Sequence, residues 1–164
     1  MGETRQTDGQ RRIVRAGDVL FGADDLVARW VSKRIPGFRC NGLQRALGII
    51  EGEDLVAGVV YDNYNGIHCE ASIAADRIGR WASRRTLHTI FAYPFIQLDC
   101  QAISVVVPSS NIASLNLATK LGFEPEAFVR FAAHDGSSLC ILKMLRENCR
   151  WILAPYHGSH GSRV

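Results

Sequence analysis

The chain has 164 residues, of which 47% are hydrophobic and 21% charged, and carries a formal charge of +3. This fits one globular domain with a substantial core, and the small positive charge permits an anionic ligand without the dense basic stripe of a nucleic-acid binder. No apolar run approaches the roughly 20 residues that span a bilayer.

Met1 to Arg12 is polar and basic with no apolar h-region, so residues 1–12 read as a flexible basic arm rather than a signal peptide. The five cysteines Cys40, Cys69, Cys100, Cys140 and Cys149 are odd in number and widely spaced, with no CxxC and no zinc spacing. Reduced, mostly buried thiols in a cytoplasmic protein are the expectation.

Ile13 to Leu20 reads as a first strand. Asp24 or Asp25 then caps a helix in which Leu26, Val27, Trp30, Val31 and Ile35 recur at helical spacing, ended by Pro36-Gly37. Arg45–Glu51 and Leu55–Tyr61 read as strands around a Gly52-Glu53-Asp54 turn. Asn65-Gly66 is a type I′ hairpin signal that would pair Val59–Asp62 with Ile67–Ile73. A helix follows from Arg84 to about Gln97, with Leu87, Ile90, Phe91, Phe95 and Leu98 inward.

Ile103, Val105 and Val107 mark a largely buried strand that Pro108 ends, because proline cannot donate to a ladder. Ser109, Ser110 or Asn111 can cap the next helix, whose stripe is Ile112, Leu115, Leu117 and Leu121 and whose C′ residue is Gly122. Ala127–Ala133 and Leu139–Leu145 flank His134-Asp135-Gly136-Ser137 as a closing hairpin. The order predicts an α/β (α+β) fold: a mixed, mostly antiparallel central sheet of six to seven strands with helices on both faces. Residues 13–152 form a single domain in this reading, and the Gly/Ser-rich residues 153–164 a flexible tail. His157 and His160 on that tail read as solvated, and no metal site is expected.

Asn111, Ser114, Lys120, Gly122 and Phe123 align without gaps with N-x-x-A-x-x-x-Y-x-K-x-G-F. The stretch therefore resembles the late strand–helix unit of the GNAT N-acetyltransferases, and the resemblance extends over roughly residues 13–152 in element order. Arg80-Trp-Ala-Ser-Arg-Arg, Ala92-Tyr-Pro-Phe and Met144-Leu-Arg-Glu-Asn-Cys-Arg-Trp151 look like a subgroup found in phages and prophages. Ala118 stands where the family often has a Tyr that protonates the departing thiolate.

The resemblance implies an acyl-CoA-dependent N-acyltransferase that passes acetyl from acetyl-CoA directly to an amine acceptor. It places the diphosphate of acetyl-CoA on the loop Arg77-Ile78-Gly79-Arg80-Trp81-Ala82-Ser83, a version of R/Q-x-x-G-x-G/A with one glycine left. Arg84 belongs to the same set, together with Ile73 of the preceding strand and Asn111 and Ser114 of the later helix. Arg84 and Arg85 fall in a first helical turn, where cations oppose the helix dipole unless an anion sits between them.

Alternation along Gly66–Ala74 sets Ile67, Cys69, Ala71 and Ile73 on one side and His68, Glu70 and Ser72 on the other. Glu70 is a candidate general base, and His68 a second, because an imidazole exchanges protons near neutrality. A plain polar sheet face explains both equally well. Tyr61, Asp62 and Tyr64 either shape an acceptor pocket or pack at the sheet edge. Ser110 is the candidate stand-in for the missing acid, with helix capping as the bland reading. The chain's acceptor stays unidentified, and a homodimer stays open. An alternative on the same scaffold is a phage Mom-like DNA nucleobase-modifying enzyme, suggested by Arg5, Arg11, Arg12 and Arg15 in the arm and by the irregular loop.

Overall fold

The computed structural model describes residues 14–16, 18–39, 42–76 and 80–153. The basic arm, Arg77, Gly79, Cys40 and the two tail histidines lie outside the described residues. In chain order the elements are β1 (Val14–Ala16), β2 (Val19–Phe21), α1 (Asp24–Ser32), β3 (Arg45–Glu51), β4 (Asp54–Asp62) and β5 (His68–Ala75). Then come α2 (Arg84–Ala92), β6 (Ala102–Pro108), α3 (Ile112–Leu121), β7 (Glu124–Val129) and β8 (Leu139–Leu145).

The eight strands of the described residues join one sheet in the order β1-β2-β3-β4-β5-β6-β8-β7. Every neighbouring pair is antiparallel except β5–β6. The mixed, mostly antiparallel sheet is the expected one. Its eighth strand arises because the stretch read as one first strand turns back on itself, with Ala16 opposite Val19.

Helices cover both faces. On one, Val27, Ala28 and Val31 of α1 pack on Ala46, Val60 and Ala74. On the other, Leu87, Ile90 and Phe91 of α2 and Ala118 and Leu121 of α3 bury Leu47, Val59, Cys69, Ile103 and Val105. Glycines set how closely α1 approaches. Gly48 and Gly58 lie opposite each other on β3 and β4. A Cβ on Gly48 would come within 2.7 Å of Leu55 Cδ1, and one on Gly58 within 2.8 Å of Val31 Cγ2.

Several local expectations change. Asp24 does not cap α1; Ala23 holds that position, and Asp24 Oδ1 accepts from the Ala46 N–H at 2.7 Å, tying the helix to β3. Leu26 faces outward. Asn65-Gly66 does not make a two-residue turn. Asn65 Oδ1 instead accepts from the N–H groups of Ile67 and His68, at 3.0 and 2.9 Å, and β4 meets β5 first at Asp62–Glu70. β7 begins directly after Gly122 and Phe123 rather than at Ala127.

α2 stops at Ala92 and continues as a π-helical turn over Tyr93–Gln97. The cause is Pro94, which has no N–H to offer the carbonyl of Ile90 four residues back. That carbonyl accepts from the Tyr61 hydroxyl instead, at 2.7 Å. α3 is capped as expected, with Asn111 at its start and Gly122 at φ 108° past its end.

Candidate functional site

β5 feeds α2 and β6 feeds α3, so the one parallel pair of the sheet has a helix following each strand. Open sheets bind ligands at the carboxyl ends of such strands. The β5–β6 ladder holds three rungs, His68–Ala102, Cys69–Ile103 and Glu70–Ser104, and then stops. Beyond it β5 stays paired with β4 as far as Ala75, while β6 stays paired with β8 as far as Pro108. The two strands therefore diverge into a wedge whose β5 arm, Ala71–Ala75, turns main-chain donors and acceptors towards the gap.

The far end of the β5 arm is anchored from the α1 side. The Asp76 N–H donates to Val56 O at 2.9 Å. The Arg34 guanidinium donates to both Asp76 carboxylate oxygens at 2.7 and 3.0 Å, and stacks over Trp30 at 3.4 Å from the ring centroid.

Next in the chain is the start of α2. Ser83 is its N-cap, the hydroxyl oxygen accepting from the Thr86 N–H at 3.1 Å. Arg80, Ser83, Arg84 and Arg85 are all exposed there, and the first turn contains no acid. The helix dipole and the arginines thus concentrate positive potential at one open end. Trp81 is different: its ring is buried in the α2-side core, with an indole N–H that finds no acceptor among the described residues. Ala82 and Ile73 pack against that same core, half-buried. Trp81 and Ala82 can therefore serve a ligand through their backbone.

On the α1-side face a polar row crosses four strands. Asp62 lies opposite Glu70, Glu70 opposite Ser104, and Ser104 opposite Lys143. His68 shares this face, and its Nε2 lies 2.7 Å from Ser104 Oγ. Ser104 is only 5% exposed. Burial and then the Glu70 charge raise the Asp62 carboxyl above its ordinary value, and Asp62 Oδ1 is buried without a hydrogen-bond partner among the described residues. Lys143 is engaged by Glu126 at 2.7 Å. This arrangement puts two carboxylates and an imidazole at the vertex of the wedge, where an amine proton can be accepted. Ser104 was not singled out by the sequence reading. Its signal was a lone hydroxyl within Ile103–Val107.

Other candidates sit elsewhere. Tyr61 points to the α2 side, fully committed to Ile90, and burial pushes its hydroxyl pKa well up. Tyr64 donates to Leu98 O at 2.9 Å. Ser110 donates to Asp135, whose carboxyl is drawn down to about 2 first by that bond and then by Ser137. Asn111 Oδ1 accepts from the Ser114 N–H at 3.1 Å, so both residues are occupied in capping α3 at the β6 side of the mouth. No group of three or more metal-ligating side chains occurs among the described residues.

No known family profile matches the sequence, and no curated protein matches it. Solved structures do. The chain is similar to mutant forms of spermidine/spermine N-acetyltransferase from Vibrio cholerae, with a TM-score of 0.57 and 16% identity over 65% of this chain and 69% of that one. It is also similar to a GNAT-family acetyltransferase from Bacillus anthracis, with a TM-score of 0.58 and 16% identity over 83% of this chain and 99% of that one. At such identities the likeness shows the fold, which is that of the GNAT acetyltransferases.

Proposed function

We propose that residues 13–152 form one catalytic domain, an acetyl-CoA-dependent N-acetyltransferase that acts on an amine. The observation that carries this reading is the three-rung ladder between β5 and β6, which leaves a wedge at the carboxyl ends of two parallel strands. The residues present fit acetyl-CoA: an open, acid-free helix start with three exposed arginines suits a diphosphate, and the unpaired edge of Ala71–Ala75 suits an amide-bearing arm. When bound, acetyl-CoA supplies the thioester that the amine attacks.

The chain's residues do the remainder. Arg80, Arg84 and the N–H groups around Ser83 hold the diphosphate, with Arg77 and Gly79 completing the loop. Asn111 and Ser114 border the β6 side. Glu70, with His68 beside it, takes the proton that the amine nitrogen loses as its bond to the acyl carbon forms. The departing thiolate needs little help, since thiols have ordinary pKa values near 8.5. A Tyr at the position of Ala118 is therefore dispensable, and Ser110 need not act as an acid.

Asp62 and Glu70 side by side favour a cationic acceptor, so polyamines come first among amines to test; spermidine appears in the name of one structural relative. Buried Cys69, Cys100 and Cys149, all free thiols, suit the reducing cytoplasm. Nothing among the described residues favours the Mom-like DNA-modifying alternative or a phage subgroup.

Titration calorimetry with acetyl-CoA, followed by thiol release across an amine panel, tests the proposal. Arg80→Ala combined with Arg84→Ala should weaken acetyl-CoA binding at least about tenfold, or 1.4 kcal/mol. Glu70→Gln should lower turnover with cofactor affinity retained. No binding of acetyl-CoA by the unaltered chain would end this reading.

A further inference from the structure

On its face of the sheet α1 packs on β3, β4 and β5. Past the vertex of the wedge, β6 continues on that face as Val106 and Pro108, opposite Ile141 and Leu139 of β8. Val106 is 40% exposed although its strand has neighbours on both sides, so the face lies open there. Ile141 and Leu139 beside it are half-buried. An apolar trough therefore runs from the Glu70–Ser104 rung to the end of β6, roughly 13 Å at about 3.3 Å per residue. Glu70 stands at its inner end, with Asp62 behind it carrying a buried oxygen unpartnered among the described residues. Lys143, also there, is engaged by Glu126.

The outer end is made by the corner after β6 and the loop before β8. The Ser109 N–H donates to Ser138 O at 2.7 Å and the Ser138 N–H to Ser109 Oγ at 3.2 Å, bolting the two together. The loop approaches the α1 side, since a Cβ on Gly37 would come 3.9 Å from His134 Cβ. Asp135 is exposed on it with a fixed carboxylate. Oδ2 accepts from the Ser110 hydroxyl, and Oδ1 from the N–H and the hydroxyl of Ser137 at 3.0 and 2.6 Å. A carboxylate has about four lone-pair positions, so one on Oδ2 stays open. All three donors are neutral, and no ion pair among the described residues uses this charge.

We infer that Asp135 selects acceptors with a second cationic nitrogen: the reacting amine lies at Glu70, an alkyl chain follows Val106 and Ile141, and the distal ammonium rests on Asp135. The identity of the reacting end rests on the N-acetyltransferase reading; the two-ended binding does not. Charge and polarity choose the occupant. An apolar floor between two anionic ends matches a long alkyl diamine. An acceptor bearing a carboxylate or phosphate would meet like charge at either end. A plain alkylamine would leave the outer carboxylate unneutralised, and a short diamine would engage one end alone.

Titration calorimetry of the full chain with diaminooctane, octylamine and diaminopropane tests this without requiring turnover. Diaminooctane should bind about fivefold more tightly than either of the others, the scale of one exposed ion pair. Asp135→Asn should bring diaminooctane and octylamine to within about twofold of each other and leave acetyl-CoA affinity unchanged. Val106→Lys, which sets an ammonium into the trough, should weaken both long amines while circular dichroism shows the fold retained. Equal affinity of the unaltered chain for diaminooctane and octylamine overturns the inference. So does a preference that survives Asp135→Asn, or no binding of diaminooctane at all. Absence of thiol release with every amine would instead end the enzymatic reading, and these binding outcomes would still decide what Asp135 does.

Discussion

His68 Nε2, from the first rung of the β5–β6 ladder, meets Ser104 Oγ, from its last rung, at 2.7 Å, and beyond Ser104 the two strands part. Leaving a buried hydroxyl unpaired costs about 1–3 kcal/mol, so Ser104 has reason to hold the ring in one orientation. That orientation keeps the imidazole beside Glu70 at the vertex. His68→Ala should lower kcat by about 100-fold if the ring handles the amine proton. Ser104→Ala should cost roughly tenfold through lost orientation, with KM for acetyl-CoA unaltered. Steady-state kinetics with the best amine of the panel decides, and an unchanged kcat in both variants would reduce the pair to packing.

Asp62 lies beside Glu70 with one carboxylate oxygen buried and unpartnered among the described residues. Burial, and next the Glu70 charge, hold its pKa above the ordinary value. The folded chain therefore binds this proton more tightly than the unfolded chain does. The stability involved is complete below the unfolded carboxylate value of about 3.9 and is lost as pH rises through the higher folded value. Asp62→Asn should accordingly leave Tm unchanged near pH 3 and raise it by roughly 2 °C at pH 7, a small gain because solvent screens a half-buried group. A lower Tm at pH 7 would show that the carboxylate has a stabilising partner.

Arg34 and Asp76 join the end of α1 to the end of the β5 arm. Both side chains are substantially exposed, so the ion pair contributes only about 0–1 kcal/mol to stability. Its larger effect should fall on the position of the chain entering the loop proposed to hold the diphosphate. Arg34→Ala is expected to raise KM for acetyl-CoA by about fivefold while kcat stays within about twofold, with little change in Tm. Arg34→Lys keeps the charge but loses the bidentate, ring-stacked geometry, so it should recover little of the KM. A fall in kcat at unchanged KM would contradict this role.

The sequence made the sheet legible wherever a strand carried its own pattern: Arg45–Glu51, Ile103–Val107 and Leu139–Leu145 all fall where their β-branched and leucine runs predict. The α3 cap and the Gly122 exit were equally plain, because both depend on local chemistry. Asn65-Gly66 misled because the Asn65 side chain, rather than its backbone conformation, makes the turn. Tyr61 misled because its use depends on Pro94, more than thirty residues away, freeing the Ile90 carbonyl. At the candidate site, alternation alone brought His68 and Glu70 to one face. The Ser104 contact required the register of a parallel pair, which no single strand's sequence encodes.

Gly58 shows how tightly that sheet receives α1. An added Cβ would lie 2.8 Å from Val31 Cγ2 and 3.0 Å from Val27 Cγ1, and both valines are completely buried. Neither is the far end of a flexible side chain, so the helix must shift away from β4 to admit a methyl group. Overpacking of this kind costs about 1–3 kcal/mol, which lowers Tm by roughly 2–10 °C in a domain of this size. Gly58→Ala should therefore destabilise, and Val31→Ala should do so independently by opening a cavity. Combined, the two should destabilise by less than their sum, because the new methyl fills the space that the valine vacates. Strict additivity of the two changes in thermal denaturation would mean that α1 does not rest on the glycine.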